Sequence, residues 1–137
     1  MIIVCVFSGC SGSTAKTSKK EVTVDVDLTQ LSSTMVYSEV YNMLTTPEEY
    51  IGKTVKVKGT FNVYEDDSTG NVYYACLISD ATACCQQGME FIPEGDFKYP
   101  DDFPAVGDDV TVVGQFETYK EGDLQYVHLV DSEFISA

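Results

Sequence analysis

Two hydrophobic periods divide the chain. Over residues 22–28, Val22, Val24, Val26 and Leu28 alternate with Thr23, Asp25 and Asp27, the pattern of a strand or an extended arm. The period then lengthens. Met35, Val36, Tyr37, Val40, Tyr41, Met43 and Leu44 follow Ser32-Ser33-Thr34 at spacings of three and four. This predicts a short amphipathic helix with a hydroxyl cap, its Met and Tyr stripe serving as core packing. Thr46-Pro47-Glu48-Glu49 predicts a second, shorter helix. Thr46 would cap it, Pro47 would take the first turn, Glu49 would complete a capping box, and Gly52 would end it.

From Lys53 the period returns to two. Val55, Val57, Gly59, Phe61 and Val63 alternate with Lys56, Lys58, Thr60 and Asn62. Strands are expected over residues 54–64, 72–79, 89–92, 110–119 and 125–131. Residues 65–71 form a turn; they lack the ligand spacing and terminal Glu of a calcium loop. Residues 80–82 turn the chain again. Between the third and fourth strands, Pro93, Pro100 and Pro104 argue against a helix. Gly59 and Gly114 fall in mid-strand, where glycine permits the bend of a barrel corner. The fold class expected is mainly β: a five-stranded OB-like barrel preceded by a short strand or arm and one or two short helices.

Length and charge narrow the reading. The chain has 137 residues, enough for one domain with a core. Its formal net charge is −14, and its eight basic residues are all lysines. Such a chain is a poor partner for nucleic acid, and without arginine it has no bidentate clamp for phosphate. Residues 1–58 balance six lysines with six acids, whereas residues 59–137 hold Lys98 and Lys120 against sixteen acids. The molecule is polarised, and a cationic partner suits its acidic part.

The first residues read as an address. A short apolar run leads to Phe7-Ser8-Gly9-Cys10. Small residues before a cysteine resemble a bacterial lipobox, with Cys10 the lipidation site; Phe7 stands where Leu is usual. Residues 1–9 are then a truncated signal remnant, with the true start upstream. Residues 10–20 are a lipid-anchored polar tether, its extended reach about 30–35 Å at ~3.3 Å per residue. Lys16, Lys19 and Lys20 near the anchor suit an anionic membrane face. Residues 21–137 form a single domain on the extracytoplasmic side of the bacterial cell membrane.

The cysteines carry the main chemical signal. Cys76, Cys84 and Cys85 remain in an oxidising location. With a loop of residues 80–83, Ser79 would face Cys84, and Cys85 would share a face with Cys76. One residue fewer in the loop gives that place to Cys84. Three alternatives stand: buried structural thiols, a disulfide from Cys76 to Cys84 or Cys85, or a soft-metal or redox site in which Cys76, Cys84, Cys85 and His128 supply four ligands. There is no Cys-x-x-Cys motif, no Gly-x-Ser-x-Gly elbow and no glycine-rich phosphate loop. Asp66-Asp67 and Asp101-Asp102 read as turn residues. No catalytic constellation emerges, and the chain reads as a non-enzyme.

A family resemblance rests on three stretches. They are Val36-Tyr37-Ser38-Glu39-Val40-Tyr41-Asn42-Met43, Tyr50-Ile51-Gly52-Lys53-Thr54-Val55, and residues 73–91 with Cys76 and the Cys84-Cys85 pair. Together the chain resembles uncharacterised small bacterial lipoproteins with an OB-like domain. More distantly, it is similar to the C-terminal domain of membrane permease subunits. The resemblance implies an OB-like domain at a membrane and brings no catalytic residues. The function expected is a lipid-anchored binding module for a partner protein, a small ligand or a cation, accessory to a transporter. The alternative is a thiolate metal-handling or redox protein using Cys76, Cys84 and Cys85.

Overall fold

A computed structural model describes residues 21–136. The signal remnant and tether expected over residues 1–20, and the expected lipidation site Cys10, lie outside the described residues. The domain is mainly β, with one α-helix and one six-stranded mixed sheet.

The arm pairs less than its alternation suggests. Only Val26–Asp27 forms a strand, β1, parallel to Val55 and Lys56. The aspartates divert the rest. Asp25 accepts the backbone N–H of Thr54 at 2.8 Å. Asp27 accepts the N–H of Thr29 at 3.0 Å and caps a 3-10 turn at Leu28–Gln30. Short carboxylates compete with a ladder in this way, and the turn drives Leu28 into the core.

Helix α1 spans Ser33–Thr45, and Ser32 caps it by accepting the Met35 N–H. Val40 and Met43 are buried, while Met35, Tyr41 and Leu44 remain exposed, so the buried stripe is narrower than the apolar pattern. The second helix shrinks to a 3-10 turn at Pro47–Glu49, and Thr46 makes no side-chain cap to it. The Thr46 hydroxyl instead donates back to the Asn42 carbonyl at 2.9 Å, satisfying the end of α1. Tyr50 then fixes the helix to the sheet. Its hydroxyl donates to Glu39 at 2.7 Å, and its ring meets Phe116 at 5.9 Å.

Five longer strands follow: β2 Thr54–Glu65, β3 Val72–Ser79, β4 Gln86–Pro93, β5 Asp109–Glu121 and β6 Leu124–Ser136. The sheet order is β1-β2-β3-β4-β6-β5, with β2 paired to β5 as well. β2 serves two neighbours in turn: residues 54–60 pair with β5 and residues 60–65 with β3. β4 and β6 run parallel, and the other long pairs are antiparallel. Alternate residues of these strands, including Val57, Phe61, Cys76, Met89, Phe91, Val112, Phe116 and Leu129, make the core.

The mid-strand glycines answer to space rather than to backbone dihedrals. A Cβ on Gly59 would lie 2.2 Å from the Leu77 carbonyl oxygen, at the point where β2 passes from β5 to β3. One on Gly114 would lie 2.8 Å from Ser132 Cβ and 2.9 Å from Leu129 Cβ. Gly114 sits in a register shift between β5 and β6. Opposite, Asp131 takes φ +46, the left-handed region that Asp tolerates better than most residues. β6 therefore continues past Asp131, the expected end, and its new phase buries Ser132, whose hydroxyl donates to the Ile92 carbonyl at 2.8 Å.

The loop from β4 to β5 is held by rings instead of a helix. Phe103 stacks on Tyr74 at 4.1 Å and on Phe134 at 5.2 Å, with Phe97 and Tyr99 against its edge. Backbone bonds from Gly107 to Phe61 and from Phe61 to Asp108 fasten its end to β2. No helix among the described residues is long and apolar enough to cross a membrane.

Candidate functional site

The cysteines separate in space. Cys76 is fully buried on β3, and burial pushes its thiol up to about 12. Cys84 and Cys85 are exposed. The expected register does not hold: Ser79 pairs with Gln86 and Cys76 with Met89, which leaves residues 80–85 as the turn. The cause is Asp80. Its carboxylate accepts the N–H groups of Thr82 at 3.1 Å and Cys84 at 3.0 Å, and its own N–H donates to the Cys85 carbonyl. The turn thus consumes both cysteines, and neither shares a strand face with Cys76. All three thiols are free. Among the described residues no three His, Cys, Asp or Glu side chains converge as a metal site.

His128 belongs to a different constellation. It lies on β6 between Glu90 of β4 and Glu117 of β5. Its side chain leaves the sheet on the face opposite Leu129, because neighbouring strand residues alternate. That outward face also carries Tyr126 of β6, Tyr119 of β5, Gly88 and Glu90 of β4, and Tyr73 and Ala75 of β3. The His128 ring packs on Tyr119 at 4.5 Å, and Tyr119 stacks on its cross-strand partner Tyr126 at 5.5 Å. Burial holds the imidazole below its ordinary pKa, against the opposing pull of Glu117. His128 Nδ1 is buried with no hydrogen-bond partner among the described residues.

His128 lies behind Tyr119, whereas Tyr73, Ala75, Gly88, Glu90, Tyr119 and Tyr126 line a groove of about 410 Å³ whose lining excludes it. Its floor is small: Ala75 and Gly88, with the Gly88 Cβ position 4.0 Å from Ala75 Cβ. Tyr64, Tyr73, Tyr119 and Tyr126 form walls, and Glu65, Asp66, Glu90 and Glu121 supply carboxylates. Two phenol-to-carboxylate bonds order it. Tyr119 donates to Glu90, and Tyr73 donates to Glu121 at 2.6 Å, bridging β3 and β5. Burial raises the pKa of half-buried Glu90, with Glu121 adding repulsion and the Tyr119 bond opposing both. Tyr119 is raised as well, by burial and by Glu90. The arrangement offers aromatic faces beside negative charge, and no lysine lines it.

A larger hollow, about 690 Å³, lies where residues 21–24 approach β2, β5 and β6. It carries no aromatic ring, so the tyrosine groove is the better-equipped site. Sequence reasoning singled out His128 but missed the tyrosines and Glu90. Their signal was available: Tyr73, Tyr119 and Tyr126 occupy the solvent-facing phase of their strands, where alternation calls for small polar residues. Comparison with known proteins finds no family model that matches the chain and no curated protein similar to it.

Proposed function

We propose that this chain is a lipid-anchored, extracytoplasmic OB-like binding module whose ligand site is the tyrosine groove. The single observation that carries the reading is that groove: four tyrosines and four carboxylates around a floor of Ala75 and Gly88. The barrel assignment draws support from the pairings, which run β2–β3–β4–β6–β5 and return to β2. The parallel β4–β6 pair and the groove's place over β3 and β4, between the β2–β3 and β5–β6 turns, suit an OB-like barrel. Aromatic walls with a few polar groups are the usual equipment of a small-ligand site. Lipid on Cys10 would hold the module at the membrane, where it would present a small ligand or a partner's side chain to a transporter.

Two experiments test this. Cys10→Ala should move the protein from the membrane to the soluble fraction; retention in the membrane contradicts the anchor. With the soluble Cys10→Ala chain, NMR of the tyrosine ring protons against pools of small metabolites should give shifts at Tyr73, Tyr119 and Tyr126. Ligand-induced shifts confined to other surfaces contradict the site.

A further inference from the structure

We propose that the groove takes a small organic ammonium ion, its cationic head held over the tyrosine faces and beside Glu90 and Glu121. This rests on the reading of the groove as a ligand site and adds the chemistry of the ligand.

Charge is the first argument. Glu65, Asp66, Glu90 and Glu121 line the groove and no lysine does. Among the described residues the ion pairs are Lys56 with Asp27 and Lys58 with Asp109, so neither Glu90 nor Glu121 has a cationic partner there. Glu90 is half-buried, and its partner is a neutral phenol. A half-buried carboxylate without a counter-charge is costly, and a bound cation would offset that cost. An anionic ligand would meet only repulsion.

The aromatic walls decide which cation. A bare metal ion needs converging oxygen, nitrogen or sulfur donors, and among the described residues no three His, Cys, Asp or Glu side chains converge. Tyrosine faces instead attract an ammonium head through the ring quadrupole, most strongly where water is excluded. Tyr119 is stacked by Tyr126 at 5.5 Å and packed by His128 at 4.5 Å, so the exposed rings of Tyr126 and Tyr64 offer the available faces. The small floor of Ala75 and Gly88 leaves room below those faces for a methylated head. A volume of about 410 Å³ is in the range of small-ligand sites.

The probe is choline, titrated into the soluble Cys10→Ala chain at constant ionic strength and followed by tyrosine ring NMR. Its neutral tert-butyl isostere and a neutral disaccharide are titrated in parallel. Choline should shift Tyr119 and Tyr126, and the isostere should bind at least tenfold more weakly. Tyr126→Ala should weaken choline binding about three- to thirtyfold. Glu121→Gln should weaken it about two- to fivefold; Glu121 is exposed at the end of β5, so this variant keeps the fold. Equal binding of the isostere overturns the cation and leaves an apolar ligand site. Disaccharide binding without choline binding overturns the cation and leaves the binding module intact. No shift at these tyrosines from any of the three probes overturns the proposal and removes the groove's support for the module as well.

Discussion

Gly59→Ala tests the packing on which the sheet's return depends. The added methyl group would lie 2.2 Å from the Leu77 carbonyl oxygen, 2.8 Å from Cys76 Sγ and 2.9 Å from the Leu77 carbonyl carbon. Ordinary contact begins at about 3.4 Å, so the shortfall against the backbone exceeds about 1 Å. No rotamer change relieves it, because the obstruction is β3 itself. Relief requires β2 and β3 to part just where Thr60 pairs with both Leu77 and Asp109. Overpacking of this kind costs about 1–3 kcal/mol, and a backbone obstruction belongs at the upper end. The entropy removed from the unfolded chain returns only about 0.4–1 kcal/mol. A net loss of about 2 kcal/mol follows, about 1 M in urea midpoint at a slope of roughly 2 kcal/mol/M. The control is Gly88→Ala, whose methyl group meets Leu77 Cδ2 at 3.4 Å and Ala75 Cβ at 4.0 Å. It should fall within about 0.5 kcal/mol of the parent. Urea unfolding of both variants, followed by circular dichroism, decides the matter. A Gly59→Ala midpoint equal to that of Gly88→Ala would refute the close approach of β2 and β3.

The remaining expectations follow from burial. Native labelling with a thiol reagent and peptide mapping should modify Cys84 and Cys85 and spare Cys76 until urea unfolds the chain; early modification of Cys76 contradicts its burial. Burial and the Glu39 bond push Tyr50 up to about 12. A raised folded pKa means that the folded state keeps its proton longer, so this stability is complete below pH ~10 and lost between about 10 and 12. Cys76 adds to the same alkaline loss from pH ~8.5 upward; urea midpoints that stay level from pH 8 to 12 contradict both. Glu90 is also raised, so its ionisation opposes folding as pH rises through and beyond the usual carboxylate range. Glu90→Gln should therefore equal or exceed the parent in stability at neutral pH while binding choline more weakly; a marked loss of stability would make Glu90 a structural residue.

Much of the fold is written in local patterns. The β3 span is the expected one, because Val72, Tyr74, Cys76 and Ile78 alternate between two clear turns. The helix start follows from Ser32 and its chosen N–H. What local pattern did not reveal depends on side chains that act at a distance or on loop length. Asp80 lengthens the β3–β4 turn by drawing in two N–H groups, and alternation alone cannot count turn residues. That moved Cys84 and Cys85 off the strand. Asp131 reads as a stop but serves a bulge, because Gly114 lies across from it. The site was hidden for a related reason. Tyr73, Glu90, Tyr119 and Tyr126 come from four strands, and only the sheet order makes them neighbours. His128 was visible as the sole histidine, but its neighbours are the Tyr119 ring and, across the strands, Glu90 and Glu117, not the cysteines.

The most direct test of the account is a set of intermolecular NOEs between the choline methyl protons and aromatic ring protons of the Cys10→Ala chain. The result expected is contact with Tyr119 and Tyr126, lost in Tyr126→Ala. Contact only with Phe97 and Tyr99 in the β4–β5 loop, or none with any ring, would contradict it.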